Sequence, residues 1–561
     1  MQRPLKIVTT EEMRLLEQQA DAAGHPYAQM MELAGRAVAA AIQGERPEGP
    51  PMAVVVLAGP GNNGGDGLVA ARCLQEWGHQ VGVFCCHRRT EGDPNYERLL
   101  ARGAEVLHAQ DEGSWATLQG WLARAEVIVD ALLGTGVARP IGGTLLEILE
   151  ATRQALAERR VSDADRPLCV PHRPPEPSPR SPLVVAVDVP SGIDGNTGAA
   201  DPAALPADLT VTFGLPKIGQ FRYPAAALLG ELLIADIGIP AGLDRDIRLE
   251  LATPQGVRQR LPLRPPDAHK GSFGKALVVA GSARYVGAAC LASAAASRAG
   301  AGLVTLAAAQ TLHPILAAKL TEATFLPLPD AEGALVEAAL AALDSELPGY
   351  QALLVGPGLG QDPRTRAFIR GLLGLTPARP QERLGFLGAA DGAPAPARAL
   401  PPALVIDADG LNGLAETPGW WRELRAPAVL TPHPGEMARL LGCSVAEVQA
   451  DRLGAAQRAA RDWGHVVALK GAYTVIAAPT GETTIAPFAN PGLASAGTGD
   501  VLAGTIVGLL AQGLSAYDAA VAGVYAHGLA GELARRELGE MGLVASDLLP
   551  MLPRALRQMR G

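Results

Sequence analysis

Four small residues precede an acidic one in the last quarter of the chain. Ala496, Gly497, Thr498 and Gly499 come directly before Asp500, where an apolar helix is expected to begin. Small side chains leave backbone N–H groups open to a phosphoryl group, and a carboxylate beside them can accept a proton from a hydroxyl. The loop therefore favours phosphoryl transfer with Asp500 as the base. An ordinary helix start, in which Asp500 only stabilises the helix dipole, is the alternative interpretation.

A second loop that could bind an anion lies in the first half of the chain. Three glycines and three polar residues follow the apolar run AVVVLAG: Gly64, Gly65 and Gly67, with Asn62, Asn63 and Asp66. Glycines at a helix start let a phosphate approach unpaired N–H groups, and the asparagines add donors and acceptors. The pattern is neither GxGxxG nor a P-loop, so a tight turn between strand and helix is the other interpretation.

Two aspartates each end a strand-like run. Asp130 ends VIVD and Asp188 ends LVVAVD, and a polar, glycine-containing loop follows each of them. Ligands of open α/β sheets bind outside the carboxyl ends of the strands, so we expect both aspartates to meet the Gly-Asn loop at one site. Each aspartate could instead cap the turn or helix that follows it.

Short β-branched runs alternate with helix-like stretches in both halves, which predicts α/β folds with parallel sheets. In the first half these runs are AVVVLAG (from residue 53), VGVFCC (81), VIVD (127), LVVAVD (183), LTVTF (209) and LLIADIGIP (232). In the second half they are KALVVAGS (275), GLVTLAAA (302), ALLVGPGLG (352), ALVIDADG (403), APAVLTPHPGE (426) and VVALKGAYT (466). Between the first two runs, Leu68, Cys73, Leu74 and Trp77 are expected to line one helix face.

The length of 561 residues predicts two domains. Residues 244–271 carry charge and proline with little periodicity, so we expect an unstructured linker there and domains of residues 1–248 and 249–561. The proline-rich segments Ser162 to Pro182 and Leu375 to Pro402 are predicted to be mobile surface loops without chemistry.

Charge and composition exclude several kinds of partner. A net charge of −9 argues against nucleic acid and anionic membranes, which attract basic patches. The six cysteines show no C-x-x-C or zinc spacing, which fits a reducing compartment. The sequence shows neither a secretory signal nor a long apolar span, so we expect a cytoplasmic protein with no membrane partner.

The first-half motifs GPGNNGGDG, DALLGTG and VDVPSGIDGNTG, in this order, resemble the NAD(P)H-hydrate epimerase family over about residues 5 to 245. The resemblance implies a Rossmann-like domain that binds K⁺ through Asn63, Asp130 and Ser191. It places Asp188 at the hydrated ring as the acid/base, with Lys217 either assisting or lying in an exposed turn. The implied nucleotide contacts are Asn62, Asn63, Gly64, Gly65 and Asp66, and the run Gly134, Thr135, Gly136, Val137, Ala138, Arg139 and Pro140.

The second half resembles the ribokinase-like fold and, within it, the ADP-dependent NAD(P)H-hydrate dehydratases. HKGSFGKALVVAGS, GAGLVTL, VGPGLG, IDADGLN, TPHPGE, LKGAYT and AGTGD occur in that family's order. The hydrate would contact Ala288, Gly358, His433 and Asp500, although His433 could also be a loop histidine that fills a gap. The implied nucleotide contacts are Lys470, Gly471, Ala472, Tyr473 and Thr474, and the run Asn490, Pro491, Gly492, Leu493, Ala494, Ser495, Ala496, Gly497, Thr498 and Gly499.

Together the resemblances imply repair of hydrated NADH and NADPH. The first domain would interconvert the R and S hydrates. The second would use ADP, or ATP, to phosphorylate the ring hydroxyl of the S hydrate, with Asp500 as the base and Mg²⁺ neutralising charge. Asp407 and Asp409 could be structural or lie near the metal. Small-molecule substrates and homo-oligomerisation are expected.

Two rival functions remain open at this point. The second half could be a kinase for a vitamin precursor or sugar, because GTGD serves hydroxyl phosphorylation there too. The first half could be a noncatalytic nucleotide-binding or protein-interaction module.

Overall fold

A computed structural model of the protein describes residues 4–47, 49–88, 90–135, 140–164, 182–375 and 399–561. Within these ranges the chain divides into two units, Lys6–Ile247 and Arg248–Gly561, and Pro4 and Leu5 group with the second. Most of both proline-rich segments lies outside the described residues, so their predicted mobility stays a prediction.

The first half contains eight strands and six α-helices within the described residues. The strands are Leu5–Lys6 (β1), Ala53–Ala58 (β2), Gln80–Cys85 (β3), Glu105–His108 (β4), Val127–Ala131 (β5), Leu183–Val187 (β6), Leu209–Phe213 (β7) and Glu231–Ala235 (β8). The helices are Thr10–Ala22 (α1), Tyr27–Glu45 (α2), Asn62–Glu76 (α3), Pro94–Leu100 (α4), Ser114–Arg124 (α5) and Thr144–Ala164 (α6).

Strands β2 to β8 form a parallel sheet in the order β4-β3-β2-β5-β6-β7-β8. All six predicted runs are strands of this sheet, which confirms the parallel α/β prediction, while β4 was not predicted. The strand order reverses between β2 and β5, as in dinucleotide-binding folds, and ligands of such sheets bind at that switch point. The Gly-Asn loop follows β2, and Asp130 lies on β5.

Helix α3 begins at Asn62, so the glycines of the loop lie inside the helix. A Cβ atom on Gly64 would lie 2.0 Å from the carbonyl oxygen of Gly59, and one on Gly67 would lie 2.6 Å from the Ala131 side chain. These two glycines therefore let the helix pack on the sheet, and the prediction that they admit a phosphate stays a prediction. Trp77 was also misassigned, because it follows the last helical residue and is 41% exposed.

The second half contains twelve strands and twelve α-helices within the described residues. The strands are Leu249–Leu251 (β9), Lys275–Val279 (β10), Leu303–Ala309 (β11), Thr324–Leu328 (β12), Asp330–Ala331 (β13), Ala334–Leu335 (β14), Ala352–Val355 (β15), Ala403–Ile406 (β16), Ala428–Leu430 (β17), Val466–Leu469 (β18), Val475–Ala477 (β19) and Thr483–Ile485 (β20). The helices are Pro254–Arg260 (α7), Val286–Arg298 (α8), His313–Lys319 (α9), Ala339–Asp344 (α10), Pro363–Leu372 (α11), Asp409–Ala415 (α12), Pro434–Leu441 (α13), Val445–Ala450 (α14), Arg452–Trp463 (α15), Thr498–Ala511 (α16), Ala516–Leu538 (α17) and Ala545–Arg560 (α18).

The larger sheet has the order β1-β9-β20-β19-β18-β17-β16-β15-β10-β11-β12. Neighbouring strands from β18 to β12 in this order are parallel to one another, whereas β19 runs antiparallel to both β18 and β20. All six predicted runs are strands here too. The expected linker was wrong in part, because Leu249–Leu251 is a strand of this sheet and Pro254–Arg260 is a helix.

Close packing of α8 against α16 explains the alanine-rich composition of α8. A Cβ atom on Gly504 or Gly508 would lie 2.2 or 2.5 Å from the carbonyl oxygens of Ala292 and Ala296. Only small residues on both helices allow this approach. In the described part of the chain, no helix combines the length and the hydropathy that crossing a membrane requires.

Candidate active sites

A cavity of about 760 Å³ opens at the switch point of the first sheet. Six of the predicted site residues line it: Asn62, Asn63, Asp66, Gly134, Thr135 and Asp188. Gly64 and Gly65 are buried and are not part of this lining, and Pro140 is exposed outside it. Gly136, Val137, Ala138 and Arg139 lie outside the described residues, so their predicted contacts stay untested.

Asp188 is fixed by three donors that all reach the same carboxylate oxygen. Its Oδ1 accepts hydrogen bonds from Lys217 Nζ at 2.5 Å, Thr212 Oγ1 at 3.0 Å and Phe213 N at 3.2 Å. No hydrogen bond to Oδ2 occurs within the described residues, which leaves that oxygen available for another partner. The backbone of Asp188 has φ +64°, a strained conformation of the kind that clusters at functional sites.

Lys217 is buried, with 2% of its surface exposed. Its ammonium group also donates to Thr212 Oγ1 and to the carbonyl oxygen of Phe213. The interpretation of Lys217 as an exposed turn residue was therefore wrong. Gln220 completes the arrangement by donating to the carbonyl oxygen of Asp188 at 3.0 Å.

Four more carboxyl groups line the same cavity, those of Glu11, Glu17, Asp66 and Asp194, and burial affects two of them strongly. Burial raises the pKa of Asp66 well above its ordinary value, and Asp188 and Glu17 raise it further. Burial also raises the pKa of Glu17, an effect that Lys217 opposes and Asp188 reinforces. Carboxyl groups with a raised pKa therefore lie in the cavity that Asp188 lines, and groups of this kind cluster at sites of acid–base chemistry.

Asp130 and Ser191, 61 residues apart, meet beneath the cavity. Asp130 is 1% exposed and accepts hydrogen bonds from Ser191 Oγ at 2.5 Å and Ser191 N at 2.8 Å. Burial raises the pKa of Asp130, which the hydrogen bonds from Ser191 oppose. Asn63 lies beside the strand ends, where its amide donates to the carbonyl oxygens of Leu133 and Val187. The structure thus brings together the three residues predicted to bind potassium.

Helix α1 supplies cavity residues that the sequence analysis missed, among them Glu11, Arg14 and Glu17. Asn196 fixes the start of the helix, because its side chain accepts from Thr10 N and donates to Thr10 Oγ1. The Asn196 side chain belongs to the GIDGNTG motif, but its partner lies 186 residues away. Sequence pattern alone shows α1 only as an amphipathic helix with a solvated acidic face.

The candidate site of the second half lies at the carboxyl ends of β16, β17 and β18. Lys470, after β18, places its ammonium nitrogen 2.7 Å from Asp407 Oδ1 and 3.7 Å from Glu436 Oε2. Burial lowers the pKa of Lys470, but Asp407 and Glu436 more than offset this effect and the net pKa is raised. Asp407 also accepts from Thr431 Oγ1 at 2.8 Å. A charged lysine therefore lies among acidic groups.

Helix α16 starts beside this lysine. Gly497 is its N-cap with φ +90°, a conformation that favours glycine, and a Cβ on Gly499 would lie 3.4 Å from Lys470 Nζ. Asp500 lies in the first turn. Its pKa is raised to about 7 by burial and by Asp407, against the lowering effect of Lys470. A carboxylate with this pKa can exchange a proton near neutral pH.

The loop before α16 is held by its own side chains. Thr498 Oγ1 donates to the carbonyl oxygens of Leu493 and Ser495, and Asn490 Oδ1 accepts from Gly492 N. The nitrogen Nδ2 of Asn490 is buried and has no hydrogen-bond partner among the residues that the structure describes. Such a donor gains a partner when a ligand supplies an acceptor.

The loop from Lys470 to Thr474 is held in place by hydrogen bonds from a residue outside the loop. Arg452, which the sequence analysis missed, donates to the carbonyl oxygens of Leu469 and Lys470. Gly471 has φ +140° and approaches the Arg452 guanidinium, while Thr474 Oγ1 donates to the carbonyl of Gly471. The side chain of Lys470 itself points to Asp407 and the start of α16.

The residues predicted to contact the hydrate fall into two groups. Ala288 and Gly358 come together, because a Cβ on Gly358 would lie 2.7 Å from both Ala288 Cβ and Tyr285 Cβ. Tyr285 was missed, and it is 51% exposed. His433 caps α13 by accepting from Gly435 N at 3.0 Å. Its pKa is lowered by burial and by Lys470 and Arg439, so the ring is neutral at pH 7.

Asp409 is a structural carboxylate. It accepts from Gly360 N at 2.8 Å and from Asn412 Nδ2 at 3.2 Å, which ties the loop after β15 to α12. Within the described ranges, no cluster of three or more His, Cys, Asp or Glu side chains is arranged to bind a metal ion.

Comparison with known proteins matches both halves of the chain. The family model described as NAD(P)H-hydrate dehydratase matches residues 276–554, and the model described as YjeF-related protein N-terminus matches residues 27–219. The chain is similar to a bifunctional NAD(P)H-hydrate repair enzyme of Thermofilum pendens, with 39% identity over 99% of this chain and 97% of the relative. It is also similar to a bifunctional NAD(P)H-hydrate repair enzyme of Moorella thermoacetica, with 39% identity over 90% of this chain and 88% of the relative.

Among solved structures, the chain is similar to an ADP/ATP-dependent NAD(P)H-hydrate dehydratase from Bacillus subtilis co-crystallised with ATP and Mg²⁺. The identity is 30%, the TM-score is 0.44, and the match covers 55% of this chain and 98% of that one.

Proposed function

The chain belongs to the family of bifunctional NAD(P)H-hydrate repair enzymes, and from this premise we propose that it returns hydrated NADH and NADPH to their reduced forms. The first unit interconverts the R and S hydrates. The second dehydrates the S hydrate at the expense of ADP or ATP. The observation that supports the proposal is that each unit has its own buried carboxyl group, Asp66 or Asp500, in the first turns of a helix that starts at the candidate site, and that burial raises the pKa of both. The kinase and binding-module alternatives are not favoured, because the relatives match across both halves.

In the first unit Asp188 is the acid/base that faces the hydrated ring. Its Oδ1 is occupied by Lys217, Thr212 and Phe213, so the free Oδ2 is the oxygen that exchanges a proton with water or with the ring hydroxyl. Asn62, Asn63, Asp66, Gly134 and Thr135 line the space for the nucleotide. Departure and return of water at the hydroxylated carbon inverts its configuration.

Asn63, Asp130 and Ser191 would hold potassium. All three offer oxygen ligands, and Asp130 is a buried carboxylate with no cationic side chain paired to it in the described part of the chain. A buried carboxylate without a counter-ion is costly, so a monovalent cation fits this donor set. The ion would supply positive charge and order the loops that carry the three residues.

In the second unit Asp500 accepts the proton of the ring hydroxyl while the hydroxyl oxygen attacks the terminal phosphoryl group of the nucleotide. The backbone amides from Ala496 to Gly499 and the ammonium of Lys470 lie at the start of α16, where they stabilise the transferring phosphoryl group. Phosphate then leaves with the electrons of the C–O bond, the adjacent ring carbon loses a proton to water, and the ring regains its C=C bond. Magnesium, brought with the nucleotide phosphates, would neutralise charge.

Two loops bind the nucleotide, Lys470 to Thr474 and Asn490 to Gly499. The buried nitrogen of Asn490 that lacks a partner donates to the nucleotide, and Arg452 keeps the first loop in place. Ala288, Gly358 and His433 contact the hydrate, and the exposed ring of Tyr285 beside them extends that surface. Homo-oligomerisation and a cytoplasmic location remain predictions, which light scattering and cell fractionation check.

The decisive experiment supplies purified R and S hydrates separately, with ADP or ATP, and follows the return of the reduced-nicotinamide absorbance. We expect rapid turnover of the S hydrate that depends on nucleotide. The R hydrate should be consumed only as fast as it epimerises. Absence of turnover with both hydrates and both nucleotides would refute the proposal.

A further inference from the structure

The cavity of the first unit is lined by more carboxyl groups than cationic side chains. Five carboxyl groups line it, those of Glu11, Glu17, Asp66, Asp188 and Asp194. Of these, Glu17, Asp66 and Asp188 interact with the buried ammonium group of Lys217, which pairs with Asp188. Arg14 also lines the cavity but is an exposed side chain. Three ionised carboxylates around one buried ammonium group would repel one another, so the cavity favours at least one protonated carboxyl group.

The hydrogen bonds decide which carboxyl group stays ionised. Asp188 accepts hydrogen bonds from Lys217, Thr212 and Phe213, and donors of this kind stabilise a carboxylate. Asp66 has a different environment. It is 6% exposed, and in the described ranges no donor reaches its carboxyl group. Its backbone is fixed in α3, where its carbonyl oxygen packs against Gly35 of α2.

We propose that Asp66 is a catalytic acid of the epimerase site and that Asp188 is its partner base. This inference rests on the proposed function. The raised pKa of Asp66, caused by burial and by the charges of Asp188 and Glu17 against those of Arg88 and Lys217, agrees with a carboxyl group that keeps its proton at neutral pH. Asp66 is then the proton donor and Asp188 the acceptor.

The proposed step balances atoms and charge. Water adds to an enamine at the carbon bonded to nitrogen, so the hydroxylated carbon of the hydrate adjoins the ring nitrogen. The C–O bond breaks as the hydroxyl takes the proton of Asp66 and leaves as water, and the nitrogen lone pair forms a C=N⁺ bond. Water then adds to the opposite face, the electron pair returns to nitrogen, and Asp188 takes the proton. One proton has moved from Asp66 to Asp188, and exchange with solvent or the reverse reaction restores it.

The test is Asp66→Asn in the full chain, assayed with the R hydrate in the presence of excess dehydratase activity. General acid catalysis contributes about 10²–10⁴-fold, so we expect the epimerisation rate to fall at least about 100-fold. Hydrate affinity at the first site should change much less than the rate. The S-hydrate dehydratase activity of the same protein should be retained, which shows that the variant is folded.

The pH profile separates the acid role from a binding role. The wild-type epimerase rate should fall at high pH as Asp66 loses its proton, and Asp66→Asn should lack this descending limb in its residual rate. Glu17→Gln tests whether Glu17 is the acid instead. If the fall of the rate at high pH disappears in Glu17→Gln but persists in Asp66→Asn, the proposal is overturned. Epimerisation by Asp66→Asn at the wild-type rate also overturns it. Failure of the wild-type enzyme to epimerise would instead refute the proposed function.

Discussion

The ammonium nitrogen of Lys470 lies 2.7 Å from Oδ1 of Asp407, which joins the end of β18 to the end of β16. Asp407 is 1% exposed, so this is a buried ion pair. Removing one partner of such a pair leaves an uncompensated charge and typically costs about 3–5 kcal/mol.

Lys470→Met should therefore lower the free energy of unfolding of the second unit by about 3 kcal/mol. The double variant Lys470→Met/Asp407→Asn should recover part of this loss, because residue 407 then carries no uncompensated charge, although Glu436 still lacks its lysine partner. Denaturant unfolding of the two proteins measures the difference. Equal stabilities of the single and double variants would show that the pair is not the cause.

Asp500→Asn should nearly abolish dehydration, because Asp500 is the proton acceptor in the AGTGD loop. Nucleotide binding and epimerisation should be largely retained. In the wild-type enzyme, the pKa of about 7 means that the dehydratase kcat/KM should rise with pH up to about 7 and then level off. Near-normal turnover in Asp500→Asn, or a flat profile below pH 7, would contradict its role as base.

The raised pKa of Asp500 also predicts how the stability of Asp500→Asn differs from that of the wild-type protein as the pH changes. The folded-state pKa of Asp500 lies above the ordinary aspartate value of 3.8, so its ionisation destabilises the fold progressively as pH rises from about 4 to 7. Asp500→Asn should be more stable than wild type at pH 8 and similar to it at pH 4, with an upper limit of about 4 kcal/mol. Thermal unfolding at the two pH values checks this.

Replacing potassium with lithium should lower epimerase activity or hydrate affinity, because the smaller ion fits the oxygen set of Asn63, Asp130 and Ser191 poorly. Dehydration of the S hydrate serves as the internal control. Anomalous scattering from a crystal grown with a heavier monovalent ion locates the site. A map without a peak beside these three residues would remove the assignment.

Two glycines of one helix should respond oppositely to alanine. A Cβ on Gly35 would lie 2.5 Å from the carbonyl oxygen of Asp66, whereas one on Gly44 meets no atom within 4 Å. Gly35→Ala should destabilise the first unit by about 1–3 kcal/mol through overpacking. Gly44→Ala should be neutral or stabilising by about 0.5 kcal/mol. Comparable melting temperatures for both variants would show that α2 and α3 separate easily.

Motif order and apolar runs in the sequence were enough to predict the two α/β folds and the family, and they named six residues that line the cavity of the first unit. Runs such as VIVD and LVVAVD are continuous and β-branched, so they specify buried parallel strands, and Asp130 and Asp188 follow from the rule that ligands bind at strand ends. These are local patterns, and local patterns are readable from one sequence. The strand Glu105–His108 was missed because it is short and half polar.

Only the tertiary structure decided which groups meet and in what protonation state. Lys217 could be an exposed turn residue by pattern, yet the fold buries it against Asp188, 29 residues away. Asp66 was predicted only as a nucleotide contact in a glycine-rich loop, but its position in α3 places it in one cavity with Asp188 and Glu17, and no donor among the described residues reaches its carboxyl group. Burial and long-range Coulomb interactions depend on the positions of residues that are distant in the chain, so no local pattern carries them.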